Sequence, residues 1–485
     1  MRQILLPDKV QYIIKTLLSH GFEAYAVGGC VRDSLLGRIP EDWDITTSAK
    51  PQEVKALFSH TIDTGIEHGT VTVMLEHEGF EVTTYRIDGE YEDGRHPKQV
   101  EFTSNLTEDL RRRDFTINAL AYNDETGIVD AFDGIGDMQN RIIRCVGNAD
   151  ERFDEDALRI LRAVRFSAQL DFTIEPDTLR SVASHALDLR KISAERIRVE
   201  LTKLLLSNHP KRLLTAYETG ITEIVLPEFD RMMKTEQENP HHIYNVGIHS
   251  MRAVEYLAEK FSSNPTILEN TISDLDAISE AATFTKKEQT ALRYAALLHD
   301  VGKPDTKTID EQGVAHFYRH PQLSADLARS ILRRLKFDND TIALVTLLIR
   351  EHDVRYAEPG QPIAPRTMRR ILNRVGTDKI DLLFTLQEAD LHAQNPTLLP
   401  DKLTQLDSAR RLTAEIIAAN QCVSLKELAV NGSDLIAAGF APGKELGIIL
   451  AALLEHVLEQ PEDNQKEILL ALAHKTGTKA PSADI

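Results

Sequence analysis

A chain of 485 residues exceeds what one hydrophobic core organises, so three or more domains are expected. Its 42% hydrophobic and 27% charged content is that of an ordinary soluble protein, and no apolar run approaches the roughly 20 residues of a membrane span. A formal net charge of −19 argues against a surface coated in positive charge for non-specific DNA binding. It leaves room for RNA on one local surface, through stretches such as "RRRD" at 111–114 and "RILRAVR" at 159–165. The start, "MRQILLPDKVQ", lacks the apolar core of a signal peptide. Cys30, Cys145 and Cys422 are odd in number and far apart, giving neither a disulfide framework nor a Cys-based zinc pattern. A cytoplasmic protein is expected.

Residues 1–150 alternate helix and strand signals. "LPDKVQYIIKTLLSHG" carries Pro7 near its start and Gly21 after its end, the punctuation of a helix. "EAYAVGG", "DWDITT", "TVTVMLE" and "FEVTTYR" are β-branched or alternating and predict strands. The polar "DGEYEDGRHPKQ" at 88–99 predicts a mobile loop leading to the strand "VEFTS". From 151 to 235 strand signals nearly vanish, and "DEDALRILRAVRFSAQL", "ISAERIRVELTKLLLS" and "PKRLLTAYETGITEIV" have helical periodicity. The segment 236–400 opens His-rich ("ENPHHIYNVGIHS"), is helical, and carries an acidic surface insertion at 262–289. The last segment, 401–485, is helical and ends in a frayed "KTGTKAPSADI".

Within "EDWDITT", a strand places Asp42 and Asp44 on one face and Trp43 on the other. Two carboxylates with Cα atoms roughly 6–7 Å apart repel, and suit a hard divalent cation between them. Such a pair can hold one Mg²⁺ or bridge two, and the metal would activate an attacking hydroxyl and neutralise a leaving pyrophosphate; an exposed strand with two solvated acids is the plainer alternative. The context favours chemistry. Gly28 and Gly29 end one strand and open the helix "CVRDSLLG", where backbone N–H groups can meet phosphate and Arg32 can donate two hydrogen bonds.

"GGCVRDSLLGRIPEDWDITT" resembles the first motif of the class II nucleotidyltransferases, the group of tRNA CCA-adding enzymes and bacterial poly(A) polymerases. The likeness continues in order through "RRRDFTINALAY", "DAFDGIGDMQNRIIRCVG", "EDALRILRAVRFSAQL" and "ISAERIRVELTKLL". It implies an α+β fold: a head with a small mixed sheet at 1–150, then all-helical neck, body and tail. It also implies that Asp42 and Asp44 hold catalytic Mg²⁺, and that Gly29, Arg32 and Arg113 contact the incoming nucleotide. Glu81 in "FEVTTYR" is either a third carboxylate near the metals or a strand-edge charge, and is left outside the expected site.

Asp156 and Arg159 are three apart, so on one helix they share a face. One accepts and the other donates, which complements the Watson–Crick edge of a base; an i,i+3 salt bridge on a solvated helix is the alternative. Arg162 and Arg165 continue in steps of three along a ribbon that curves round the helix. In the family this resembles, the E-D-x-x-R helix acts as a protein template for C and A. The resemblance therefore assigns base reading to Asp156 and Arg159, and phosphate contacts to Arg162 and Arg165.

A second constellation surrounds "ALLHDVGKPDT", with His299, Asp300, Gly302 and Lys303. His249, His320, His352 and Asp390 lie on separate helical segments, a set that suits a divalent metal in a helical bundle. Their order around HD-x-G-K resembles the HD phosphohydrolase superfamily. The resemblance implies Asp300 bridging two transition-metal ions, with His249, His299 and Asp390 on one and His320 and His352 on the other. It supports water attack on a phosphate ester; an HD fold kept only as an RNA-supporting scaffold is the rival. The stretch 428–464 resembles the tRNA-contacting end of CCA-adding enzymes, and its "GFAPGKE" has the wrong spacing for a Walker A loop.

These resemblances imply addition of C, C and A to tRNA 3′ ends from CTP and ATP, with tRNA as partner and no DNA or membrane. The alternatives are a poly(A) or A-adding polymerase, an HD phosphodiesterase whose head only binds RNA, and a non-catalytic RNA-binding module. "DGEYEDGRHP" favours full CCA addition, since relatives that stop at CC typically lack such a loop.

Overall fold

The computed structural model describes residues 4–88, 100–262, 284–357 and 361–477. The loop expected at 88–99 leaves these residues at position 89, and 263–283 of the acidic insertion and 478–485 of the tail also lie outside them. The chain forms two compact units, Met1–Asp230 with Arg334–Phe337 and Arg231–Arg333 with Asp338–Ile485.

In the first unit, the helix Asp8–Ser19 buries Val10, Ile13, Ile14 and Leu17, the i, i+3, i+4, i+7 stripe of an amphipathic helix. Five strands follow: β1 (Ala24–Val27), β2 (Ile45–Thr47), β3 (Thr61–Gly65), β4 (Thr70–Leu75) and β5 (Glu78–Thr84). β6 (Arg86–Asp88) and β7 (Val100–Phe102) pair with each other. β8 (Leu120–Asn123) and β9 (Gly127–Asp130) complete a seven-stranded sheet ordered β3-β4-β5-β2-β1-β8-β9. β1 and β8 are buried along their whole length, which is why "AYAV" is a short apolar run rather than an alternating one. The sequence anticipates β1, β4, β5 and β7, but not β3, β8 or β9.

The strand expected at "DWDITT" begins only at Ile45. Ile45 pairs with Ala26 on one side and Val82 on the other, whereas Asp44 lends only its carbonyl, to the Val27 N–H at 3.0 Å. Beyond Val27 the neighbouring chain turns at Gly28, whose N–H bonds Leu120 instead, so Asp42 has no ladder partner. Under the sheet, Tyr25, Val27, Tyr85, Leu106, Leu110, Ala119, Ala121 and Val146 form one apolar cluster.

Strand structure does not end at residue 150, because β10 (Ile142–Ile143) pairs in parallel with β11 (Thr173–Ile174). Otherwise the chain is helical: Ala149–Glu155, Leu158–Leu170, Pro176–His185 and Ala194–Leu205, the second packed on the fourth.

The second unit is built on the helices Val246–Ser262, Lys286–Leu298, His320–Arg334, Asn339–Glu351 and Ile380–Ala393. The hairpin of β12 (Lys307–Ile309) and β13 (Ala315–Phe317) interrupts them. Helices Leu399–Ala418, Lys444–Glu459 and Lys466–Gly477 follow. Buried Arg369 ties this end down by donating to the Leu458 carbonyl at 2.7 Å. Among the described residues, no helix is long and apolar enough to cross a membrane.

Candidate active site and candidate metal centre

A cleft of about 680 Å³ gathers the head's polar residues, with Gly28, Gly29, Arg32, Asp42, Asp44, Arg113, Arg162 and Arg165 on its walls. Trp43 is absent from that lining, so the two acids do face one way although they precede the strand. The Asp44 side chain stays open to the cleft, yet desolvation raises its carboxyl above the usual range; Arg113 opposes the rise and Asp42 adds to it. Glu81 is next to Asp44 by register, since Val82 pairs with Ile45. Desolvation and the charges of Asp44 and Asp42 raise Glu81 as well. Three mutually repelling carboxylates form a donor set of the kind a divalent cation discharges.

Gly28 makes the approach to this group feasible. It sits at φ 84°, and a Cβ there would stand 2.9 Å from an Arg113 terminal nitrogen. Arg32 is buried, and donates to Asn118 Oδ1 at 2.5 Å and to Asp33 at 2.8 Å. Asn118 in turn donates to Asp114, which pairs with Arg162 at 2.6 Å. Burial would raise Asp114, but Arg162 and Asn118 overcome it and hold its carboxyl well below the usual range. Arg165 pairs with Glu200 at 2.7 Å and lies 3.5 Å over the Phe166 ring. Asp114, Asn118, Phe166 and Glu200 thus orient the cleft's arginines, and none of the four is among the site residues expected from the sequence. Asp114 and Asn118 belong to "RRRDFTINALAY" and Glu200 to "ISAERIRVELTKLL", where other polar residues surround them and local pattern does not single them out.

Asp156 and Arg159 do not share a helix face. The helix breaks at Asp156 (φ −141°, ψ 102°), whose carboxylate caps the Leu158 N–H at 3.0 Å and pairs with Arg196 at 2.7 Å. An aspartate at a helix start favours such a cap over an i,i+3 partner. Arg159 instead reaches Glu155 at 2.6 Å and the Arg112 carbonyl at 2.8 Å, and neither residue is on the cleft wall.

In the second unit, all six expected ligands converge. His249 Nε2 lies 3.1 Å from His299 Nε2 and 3.0 Å from Asp390; His299 lies 3.2 Å from Asp300. His320 and His352 approach the other Asp300 oxygen at 3.2 and 3.8 Å. The ligand atoms of His249, His299 and Asp390 fall within 4.8 Å of one another, as do those of His299, Asp300 and His352. His299 therefore stands between the two groups rather than in one alone.

Each histidine is held from behind. The Nδ1 atoms of His249, His299, His320 and His352 contact the carbonyls of Ala393, Ala296, Phe317 and Ile349 at 3.1, 2.9, 2.8 and 2.6 Å. That fixes the tautomer with Nε2 free to ligate, the usual outer support of a metal-binding imidazole. Both Asp300 oxygens are buried without a well-formed hydrogen bond, although Lys303 Nζ is 2.7 Å away. Burial lowers the His299 imidazole, but Asp300 and Asp390 overcome it and push it up to about 10. The donor set, its orientation and its negative charge fit a divalent transition metal.

Three sequence families match parts of the chain: a poly A polymerase head domain over residues 24–144, a probable RNA- and SrmB-binding site of polymerase A over 171–233, and a putative tRNA nucleotidyltransferase domain 2 over 307–473. A CCA-adding enzyme of Enterococcus faecalis is 34% identical over 97% of this chain and 96% of its own length. One from Ligilactobacillus salivarius is 35% identical over 97% of each. Among solved structures, the Bacillus stearothermophilus CCA-adding enzyme in complex with CTP superposes with a TM-score of 0.69 at 29% identity, covering 98% of both chains.

Proposed function

The chain belongs to the family of CCA-adding enzymes, and we propose that it extends tRNA 3′ ends with C, C and A from CTP and ATP. The observation that carries this is the cleft joining the Asp42–Asp44 pair to Arg32, Arg113, Arg162 and Arg165. Asp42 and Asp44 would hold Mg²⁺, which supplies charge neutralisation at the reacting phosphate and leaving pyrophosphate. The arginines bind and orient the triphosphate, and their fixed partners Asn118, Asp114 and Glu200 hold them in place as charge moves to the phosphoryl oxygens. We assign base reading to Asp156 and Arg159, which requires them to turn from Arg196 and Glu155 toward the cleft. The division into head (1–150), neck (151–235), HD-type domain (236–400) and tRNA-contacting tail (401–485) is part of the same reading, as is a cytoplasmic location. tRNA transcripts ending before CCA, after C and after CC, each offered single nucleotides, test it. Stepwise C, C and A incorporation is expected; A added alone and repeatedly would indicate a poly(A) polymerase.

A second activity is favoured by the four backbone-anchored imidazoles around Asp300. We propose that this centre takes up a divalent transition metal and hydrolyses phosphate esters. Asp300→Ala should abolish metal-dependent hydrolysis, for instance of 2′,3′-cyclic phosphates, and keep CCA addition. A wild-type protein that binds no transition metal and cleaves none of a broad phosphoester panel would make the domain a scaffold.

A further inference from the structure

The cleft of the head continues past the residues that suit a triphosphate. A second cleft, of about 280 Å³, adjoins it within the same unit and shares Arg38 and Leu170 with it. Arg38 and Lys203 are on the wall of the first, and Arg38 and Arg141 on the wall of the second. All three residues are exposed. Arg38 uses one N–H on the Gln169 carbonyl at 3.2 Å, near the end of the helix Leu158–Leu170. That fixes its place and leaves the rest of its guanidinium donors for a ligand.

These cations differ from the deeper arginines in having no acid of their own. Arg32, Arg162 and Arg165 lie 2.8 Å from Asp33, 2.6 Å from Asp114 and 2.7 Å from Glu200. Among the described residues, Arg38, Arg141 and Lys203 belong to no ion pair. The acids on the two walls do not cancel them: Asp33 and Asp114 are taken, Asp171 pairs with Arg212 at 3.4 Å, and Glu41 flanks the metal-binding pair. In a chain of net charge −19, three unpaired cations along one groove are a local positive path that folding does not use. A triphosphate is compact, and the deep arginines with Mg²⁺ on the two acids match it. Cations placed singly from one cleft into the next match charges placed singly, as on the backbone of a nucleic-acid strand. Ile39, 85% exposed beside Arg38 on the first wall, adds an apolar surface for a base.

We propose that Arg38, Lys203 and Arg141 form a track for the backbone phosphates at the 3′ end of the tRNA. Arg38 and Lys203 hold the phosphates nearest the 3′-hydroxyl, and Arg141 one further back. This deepens the CCA-adding reading and rests on it: the strand being extended has its own cations, separate from those of the incoming nucleotide.

Filter binding of the full chain to a tRNA ending in CC, over about 50 to 200 mM potassium chloride, tests it together with steady-state addition of A to that tRNA. Each contacted phosphate of a single strand contributes about 0.7 to the slope of log affinity against log salt. The triple variant Arg38→Gln, Arg141→Gln, Lys203→Gln should therefore lose ~20-fold less affinity than wild type across that range. Its KM for tRNA should rise while its KM for ATP stays the same. Arg38→Lys keeps the charge and should keep the slope that Arg38→Gln lowers. Arg180→Gln is the control, since Arg180 pairs with Asp177 and is on neither wall. A wild-type slope and tRNA KM in the triple variant would overturn the track and leave CCA addition standing, as would an equal loss of slope in Arg180→Gln. A raised KM for ATP with an unchanged slope would overturn it in favour of a triphosphate contact. If wild type adds no nucleotide to any tRNA end, the CCA-adding reading fails, and the salt slope alone decides whether the track binds RNA.

Discussion

Replacing Gly28 by alanine should damage the head's stability and its chemistry together, by two separable routes. Gly28 adopts φ 84°, ψ −127° between β1 and the helix Gly29–Leu35, a backbone region nearly reserved for glycine that costs other residues about 1–3 kcal/mol. The added Cβ would also stand 2.9 Å from an Arg113 terminal nitrogen. That guanidinium is the far end of a flexible side chain, so it gives way by a few tenths of an ångström rather than breaking the fold. The displacement matters because Arg113 is the cation that opposes the rise of the Asp44 carboxyl. For a loss of about 2 kcal/mol in a unit of this size, the melting temperature should fall by ~4–8 °C. Nucleotide addition should slow at least ~10-fold, the effect of about 1.4 kcal/mol on the barrier. Gly147→Ala is the control: Gly147 also has a positive φ, 69°, but no heavy atom lies within 4 Å of a new Cβ. Thermal melts and single-turnover CTP incorporation read both effects. If Gly28→Ala melts with wild type, or loses no more activity than Gly147→Ala, the argument from close approach is wrong.

Asp42→Ala and Asp44→Ala should each abolish nucleotide addition and leave tRNA binding in a gel-shift assay largely intact; incorporation at wild-type rates would remove the acids from the mechanism. Asp156→Ala or Arg159→Ala should change discrimination among CTP, ATP, GTP and UTP by ~5- to 150-fold, by analogy with bidentate base contacts. Unchanged preference would leave Asp156 as a cap and Arg159 as a brace to the Arg112 carbonyl. In the second unit, burial raises Glu388 but hydrogen bonds from Lys260, Tyr256 and Arg410 overcome it and bring its carboxyl down to about 2. A depressed carboxylate stabilises the fold above its ordinary pKa near 4.5 and loses that contribution as pH falls toward 2, here on the order of 3 kcal/mol. Glu388→Gln should therefore lower the urea midpoint at pH 7, and the gap to wild type should narrow steadily as pH falls from about 5 toward 2; a constant gap across that range would refute the charge argument.

The residues themselves determine much of this protein. Gly28–Gly29, the two acids two positions apart, the arginines spaced by three and the HD pair are local patterns, and each names a chemistry through residue type and spacing alone. The amphipathic stripe of Asp8–Ser19 is equally local, because burial every three to four residues is a property of the helix. Partner choice is not local. Asp156 faces Arg196 rather than Arg159 because a helix start offers an unsatisfied N–H that a neighbouring carboxylate accepts, and only the packed helix Ala194–Leu205 brings Arg196 within reach. β8 and β9 escaped notice for a similar reason: "LAYN" and "GIVD" are too short to show a period, and became strands by pairing beside β1. The convergence of His249, His299, His320 and His352 on Asp300 is likewise decided by helix packing, since ligands contributed by separate helices have no fixed distance until those helices share a core.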